Sequence, residues 1–184
     1  MVSKNLLSGI EVIMMYKTKE EFPEESYLPD LYNCTIGIIG LGYVGLPIAV
    51  ELSNTARCFK TNKTISRKVI GFDLNDKRIL ELNNEIDSTK EITQEKLKTS
   101  DTITFTNNPD ILKNADVFII TVPTPIDQTN RPDFYCLKEA TKSVAQVLTR
   151  RVNKEINPII IYESTVYPGA TEEICVPILE ENSN

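Results

Sequence analysis

Residues 37–47 read GIIGLGYVGLP and place three glycines, Gly40, Gly42 and Gly45, in the spacing GxGxxG. A short apolar run at residues 35–39 leads into them, and a helical pattern follows. In such a strand–loop–helix unit the first glycine allows a tight turn, the second lets the backbone approach a pyrophosphate, and the third lets the helix pack against the strand. The start of the helix also offers free N–H groups and the positive end of its dipole. The stretch therefore predicts a dinucleotide-binding turn, although a lone GxGxxG is also compatible with a plain structural turn.

A carboxylate follows the next predicted strand. Residues 68–72 form that strand, and Asp73 comes directly after it. An acid at this position hydrogen-bonds the ribose hydroxyls and repels a 2′-phosphate, which favours NAD over NADP. Asp73 lies further from the glycines than the usual separation of about 20 residues, because residues 55–67 are inserted between helix and strand. The basic, polar composition of this insertion predicts a solvated loop, and the alternative role for Asp73 is that of a turn or helix-capping acid.

Strand and helix patterns alternate along the chain. Besides the two strands already named, strands are predicted at residues 102–105, 117–122 and 159–162, and helices at residues 43–53, 75–84, 134–149 and 170–180. This alternation predicts an α/β fold with a doubly wound parallel sheet, the Rossmann arrangement. Asn75 is placed to cap the second helix, and Pro177 should bend or shorten the last one. Residues 1–33 are charged and irregular, so we expect an arm before a single domain at residues 34–184.

Composition excludes several classes of function. The net charge of −6 and the absence of a long Lys/Arg cluster argue against a nucleic-acid partner. No apolar run approaches the ~20 residues of a membrane helix, so we expect a cytoplasmic protein without a membrane partner. The four cysteines show no CxxC spacing, which argues against a zinc site or another metal site. The chain contains no histidine, which excludes a Ser-His or Cys-His hydrolase within it.

Four sequence blocks carry a family resemblance over about residues 36–180. They are GLGYVGLPIAVEL, GFDLNDKRI, NADVFIITVPTPID followed by RPD, and YESTVYPGATEEICVPILE. In this order they resemble the UDP-glucose/GDP-mannose dehydrogenase family, in particular the branch that oxidises UDP-N-acetylhexosamines to uronic acids. The resemblance implies NAD as cofactor. The cofactor-binding residues that it implies are Gly40, Gly42, Tyr43, Val44, Gly45, Asp73, Arg78, Thr124 and Thr165.

The roles implied by the resemblance differ from what some of these residues suggest alone. Val44 and its neighbours would line the pyrophosphate, Asp73 would hold the adenosine ribose, and Arg78 would lie beside it on the adenine side. From sequence alone Arg78 is an ordinary surface arginine. Thr124 and Thr165 would contact NAD near its nicotinamide half, and their alternative role is strand-end capping.

The resemblance also implies what these residues do not supply. Family members oxidise a sugar 6-hydroxyl twice, with two NAD, through a thioester on a cysteine. The catalytic and sugar-binding residues, together with a further strand of the first domain, resemble regions beyond residue 184. We therefore expect no catalytic residue here, interpret Glu163 as a pocket or folding residue, and expect the 184 residues to be inactive alone. An uncovered strand edge would favour a homo-oligomer.

Two alternatives remain at this point. The chain could be a stand-alone NAD-binding module, or part of a different Rossmann dehydrogenase. The VPTP and ESTVYPGATEE blocks argue against the second, because they resemble the nucleotide-sugar branch.

Overall fold

A computed structural model describes residues 11–13, 28–100, 102–126 and 132–183, with side chains from residue 28 onward. In chain order the strands are β1 Glu11–Ile13, β2 Thr35–Ile39, β3 Ala56–Arg57, β4 Thr64–Ile65, β5 Lys68–Phe72, β6 Ile103–Thr106, β7 Val117–Ile120 and β8 Ile159–Tyr162. The α-helices are α1 Gly45–Ser53, α2 Asp76–Asn83, α3 Gln94–Lys98, α4 Tyr135–Thr149 and α5 Val176–Asn182. A 3-10 helix spans Pro109–Asn114, and a π-helical turn, Thr171–Cys175, leads into α5.

The main sheet has six strands in the order β1-β8-β7-β2-β5-β6. All neighbours from β8 to β6 are parallel. β2 lies between β5 and β7, with Ile39 level with Phe72 on one side and Ile120 on the other. The crossing from one half of the sheet to the other therefore falls beside β2, where open α/β sheets bind ligands. The predicted doubly wound parallel sheet is confirmed.

Helices cover both faces of the sheet, because the central strands are apolar on both sides. Ile38 and Ile119 pack in one cluster with Leu46 of α1, whereas the next residues along each strand, Ile39 and Ile120, pack in a second cluster with residues of α4 and α5. Alternate residues of a strand point to opposite faces. This continuous burial is typical of strands in a parallel sheet.

The predicted helices form with shifted ends. α1 begins at Gly45 rather than Tyr43, because residues 40–44 form the turn. The side chain of Asn75 accepts hydrogen bonds from the amides of Lys77 and Arg78, so its predicted capping role is confirmed. The predicted helix at residues 170–180 is a regular α-helix only from Val176, and Pro177 lies in its first turn, directly after the π-helical turn Thr171–Cys175.

The insertion at residues 55–67 is a hairpin rather than the predicted loop. Its strands β3 and β4 pair antiparallel, and Cys58 and Lys63 are joined by a backbone hydrogen bond of 2.8 Å. The hairpin packs on Tyr32, whose hydroxyl lies 3.0 Å from Oγ1 of Thr61. Two-residue strands are too short for a periodic pattern, so the sequence could not predict them.

The predicted arm is not irregular throughout. Glu11–Ile13 forms β1, which pairs antiparallel with β8 from Glu11↔Tyr162 to Ile13↔Ile160. The backbone groups along the outer side of β8 take up these hydrogen bonds, so the expected uncovered edge is covered at three positions. The remaining arm residues before residue 28 lie outside the described part of the chain. Within the part that is described, no helix is long and apolar enough to cross a membrane.

Candidate functional site

Four loops meet at the edge of the sheet where its parallel strands end. The glycine loop, residues 40–44, follows β2, and Asp73 follows β5. Residues 121–124 follow β7, and residues 163–165 follow β8. We call this the carboxyl edge of the sheet. Ligands of doubly wound folds bind at this edge.

The glycine loop is a tight turn held by its neighbours. Gly40 has φ of 96°, a left-handed conformation that suits glycine, and its N–H donates to the carbonyl of Phe72 at 2.9 Å. A Cβ at Gly45 would overlap the carbonyl oxygen of Gly40 and Oγ1 of Thr121. Helix α1 therefore packs directly on the turn, as the third glycine of the motif predicts.

The outer side of this loop is open. A Cβ at Gly42 would meet no atom within 4 Å. Tyr43 and Val44 are exposed at 70% and 47%, and Val44 precedes α1 without a side-chain cap. The first turn of α1 contains no acidic residue. The positive end of the helix dipole therefore faces a space that can admit an anion.

Asp73 joins the end of β5 to the glycine loop. Its Oδ2 accepts a hydrogen bond from the Leu41 amide at 2.8 Å. Its Oδ1 accepts one from the Asn75 amide at 2.9 Å, which is the turn role suggested as the alternative. The carboxylate thus performs the turn role and also lies beside the glycine loop, the position that its predicted ribose role requires.

Arg78 is not the surface residue that its sequence position suggests. It is only 7% exposed, and its Nε donates to the carbonyl oxygen of Leu41 at 2.8 Å. Leu80, an apolar residue of the same helix, is 64% exposed. The face of α2 with Arg78, Ile79 and Leu82 is the one that packs inward. Arg78 therefore contacts the glycine loop, and its place on the adenine side of NAD stays a prediction.

Thr124 and Thr165 come together on the other side of the glycine loop. Oγ1 of Thr124 donates to the backbone carbonyl of Thr165 at 2.6 Å. The neighbouring Ser164 donates from Oγ to the carbonyl of Val122 at 2.6 Å. These bonds tie the loop after β7 to the loop after β8. Among the described residues, Oε2 of Glu163 is buried without a hydrogen-bond partner.

Sequence reasoning missed two residues that hold the glycine loop. The hydroxyl of Thr121 donates to the carbonyl of Gly40 at 2.7 Å, and both backbone groups of Leu41 are engaged, by Asp73 and by Arg78. A signal for Thr121 existed, because it is a polar residue at the end of the most apolar strand. No sequence signal marks Leu41, since its role rests on its backbone.

The cysteines do not form part of this constellation. Cys34 and Cys175 are buried, and burial raises the pKa of both thiols. Cys58 lies in the hairpin that joins α1 to β5, at the opposite end of the sheet. Hydrogen bonds from the Thr61 side chain and amide and from the Lys60 amide lower its pKa to about 7.

Residues 34–184 match the family model described as UDP-glucose/GDP-mannose dehydrogenase family, NAD binding domain. The chain belongs to this family. The cofactor of the domain is therefore NAD, and the glycine loop, Asp73 and the two threonines lie at the edge of the sheet where a dinucleotide binds.

Relatives of this nucleotide-sugar dehydrogenase domain are considerably longer. Protein CapL of Staphylococcus aureus is 49% identical over 151 residues, which cover 82% of this chain and 31% of that protein. UDP-N-acetyl-D-glucosamine 6-dehydrogenase of Pseudomonas aeruginosa is 47% identical over 148 residues, which cover 80% of this chain and 31% of that protein. The chain thus spans about a third of the length of the curated relatives it matches.

A solved structure has the same architecture. The UDP-D-ManNAc dehydrogenase of Pyrococcus horikoshii superimposes with a TM-score of 0.65 at 28% identity, covering 81% of this chain and 32% of that one. The aligned part confirms the Rossmann fold in this dehydrogenase domain.

Proposed function

We propose that this chain is the NAD-binding portion of a nucleotide-sugar 6-dehydrogenase that oxidises a UDP-N-acetylhexosamine to its uronic acid with two NAD. The observation that carries the proposal is the family match over residues 34–184 together with the contact between Asp73 and the glycine loop. UDP-N-acetylglucosamine is the first substrate to test, because the Pseudomonas aeruginosa relative is named for it.

The residues present fit the two halves of NAD. Open space at Gly42 and the acid-free start of α1 suit the pyrophosphate. Asp73 would accept hydrogen bonds from the adenosine ribose, while Arg78 holds the loop beside it. The Thr124–Thr165 pair and the unpaired oxygen of Glu163 would face the nicotinamide half. An unpaired buried oxygen is costly, so a donor from a bound group would stabilise it.

NAD supplies a hydride acceptor for oxidation of the sugar 6-hydroxyl. The role of these residues is to hold the two ends of the cofactor at a fixed separation along the edge of the sheet. We assign no catalytic residue to the chain. We infer that these 184 residues bind NAD without oxidising sugar by themselves, and that the sugar is held by domains outside them. The free cysteines suit a cytoplasmic setting. A homo-oligomer is the proposed assembly.

Calorimetric titration with NAD and NADP tests the cofactor role, with Asp73→Ala as the test variant. Asp73→Ala should weaken NAD binding at least about tenfold, since it removes a charged acceptor worth about 1.5–3 kcal/mol. Wild-type chain should bind NADP much more weakly than NAD, because the carboxylate repels a 2′-phosphate.

Asp30→Ala is the matched control. Oδ1 of Asp30 accepts a hydrogen bond from the amide two residues on, at 3.0 Å, as Oδ1 of Asp73 does at 2.9 Å. Asp30, however, precedes β2 and lies at the other end of the sheet. Equal loss of NAD affinity in both variants, or wild-type chain that is folded and binds no NAD, would refute the proposal.

A further inference from the structure

A buried ion pair connects α2 to the loop that follows it. Arg78 and Asp87 lie 2.8 Å apart between Nη1 and Oδ1, and their side chains are 8% and 1% exposed. Asp87 belongs to residues 86–92, which we call the Asp87 loop. The cofactor roles described above leave this carboxylate unassigned.

Asp87 also organises its own loop. Its oxygens accept hydrogen bonds from Oγ1 of Thr89 at 2.6 Å and from three amides, those of Thr89, Glu91 and Ile92, at 2.9–3.0 Å. Burial alone would raise the pKa of this carboxyl. The bonds from Thr89, the Ile92 amide and Arg78 outweigh burial and lower the pKa to about 2, so Asp87 is charged at neutral pH.

Arg78 connects Asp87 to the glycine loop. While Nη1 binds Asp87, Nε donates to the carbonyl oxygen of Leu41 at 2.8 Å. That carbonyl shares a planar peptide with the amide of Gly42, so fixing one group fixes the direction of the other. The Leu41 amide, in the preceding peptide, donates to Asp73. Two consecutive peptides of the phosphate loop are thus held by Arg78 and Asp73.

We propose that Asp87 is a positioning residue for NAD, which acts through Arg78 to fix the Leu41–Gly42 peptide and with it the ribose-facing carboxylate of Asp73. This inference rests on the proposed function. A buried ion pair is weak support for a role in stability, because desolvation of the charges offsets much of their attraction. Its connection to the phosphate loop gives this pair a role in positioning.

The test compares Asp87→Asn with Glu91→Gln in the 184-residue chain. Asparagine can keep an acceptor for the Glu91 and Ile92 amides but loses the charge that pairs with Arg78 at 2.8 Å. Glu91→Gln removes one negative charge from an exposed position of the same loop. We expect Asp87→Asn to weaken binding of NAD and of ADP-ribose about tenfold, equivalent to about 1.4 kcal/mol, and Glu91→Gln to leave both within twofold.

Two further measurements separate positioning from folding. Exchange of the Leu41 amide, which is bonded to Asp73, should accelerate in Asp87→Asn, under conditions where circular dichroism shows a folded chain. Adding Arg78→Lys to Asp87→Asn should weaken binding less than Arg78→Lys does alone, because both changes break one connection. Thr89→Val removes the shortest bond to Asp87 and a longer one from Arg78, at 3.4 Å. It replaces Asp87→Asn if that variant does not fold, and it should weaken NAD binding in the same direction.

The outcomes distinguish this inference from the proposed function. Wild-type affinity for NAD in Asp87→Asn, or unchanged exchange at the Leu41 amide, would overturn the positioning role while the cofactor role stands. A folded wild-type chain that binds no NAD would overturn both.

Discussion

The carboxyl edge and the β3–β4 hairpin lie at opposite ends of the same sheet and differ in their content of charged residues. Residues 55–67, which contain the hairpin, include four basic residues and no acidic one, in a chain whose net charge is −6. Phe59 at the hairpin tip is fully exposed, and Lys63 stacks over the ring of Tyr32 at 5.2 Å. The glycine loop at the carboxyl edge, residues 40–44, contains no charged residue.

On the proposed assignment of the pyrophosphate to the glycine loop, positive side chains are densest at the other end of the sheet. At the carboxyl edge, the groups available to an anion are backbone N–H groups. The side chains of Thr121 and Arg78 hold that backbone in place. An anion there meets N–H dipoles that are already oriented, so little ordering is needed when it binds. The basic side chains of the hairpin are exposed, so solvent screens their charge.

The strongest test of the contrast between the carboxyl edge and the hairpin is the substitution Gly45→Ala, for which we expect the largest effect. The added methyl group would overlap the Gly40 carbonyl and the Thr121 hydroxyl, so helix and turn must separate. We expect a stability loss of about 1–3 kcal/mol or more from overpacking, and a loss of NAD affinity on the order of 100-fold, about 2.8 kcal/mol. Thermal unfolding and calorimetry measure the two effects.

Gly42→Ala is the control for that experiment. Its methyl group would enter open space, so the melting temperature should stay near wild type while NAD affinity falls. Identical melting temperatures for the two variants would contradict the described packing of α1 on the turn.

A smaller effect is expected from Thr121→Val, which preserves shape and removes the donor to Gly40. The Gly40 carbonyl loses a bond of 2.7 Å in a buried setting, at a cost of about 1–3 kcal/mol. NAD affinity should fall several-fold, because the turn loosens. Calorimetry on the folded variant measures this change.

Thr141→Val is its matched control. Thr141 is fully buried in α4, donates to the carbonyl of Leu137 at 2.7 Å and accepts from the hydroxyl of Tyr162 at 3.2 Å. It should lose comparable stability and keep NAD affinity. If Thr141→Val weakened NAD binding as much as Thr121→Val, the loss would reflect general softening of the domain rather than the turn.

The smallest effect on the cofactor is expected from alkylation of Cys58 in the hairpin. With its pKa lowered to about 7, this thiol becomes the reactive thiolate as pH rises through neutrality, so its rate with iodoacetamide should have a midpoint near pH 7. Thr61→Val should move that midpoint upward, because Thr61 supplies the largest stabilisation of the thiolate. Peptide mapping identifies the modified residue, and buried Cys34 and Cys175 should react more slowly.

NAD affinity after alkylation of Cys58 completes this prediction. We expect it to stay within twofold of the unmodified chain. A clear loss would show that the two ends of the sheet are coupled.

Local patterns predict most of the fold. Short apolar runs rich in β-branched and aromatic residues, such as residues 117–120, favour buried strands, and the cap at Asn75 follows from its side chain. The hairpin and β1 were missed because strands of two or three residues have no period, and their pairing depends on partners distant in sequence. The short helix α3 was missed because its five residues are too few to show a helical period.

The candidate site is less predictable than the fold. The glycines and Asp73 follow from their positions after strands. Arg78 was interpreted from sequence alone as a surface residue, since the partners that bury it, Asp87 and the Leu41 carbonyl, lie in other loops. Whether Thr124 and Thr165 contact NAD stays a prediction, although the two residues are hydrogen-bonded to each other.

The central place of β2 has a consequence for how such domains can diversify. Asp73 and Arg78 come from the half of the sheet with β5 and β6, while Thr124 and Thr165 come from the half with β7 and β8. Apart from β1, which pairs with β8, the two halves are successive in the chain and join at the 3-10 helix Pro109–Asn114. Recombination between related genes at this junction would exchange one cofactor-facing wall as a unit. Selection could then alter preference at one end of the dinucleotide while inheriting the other end intact.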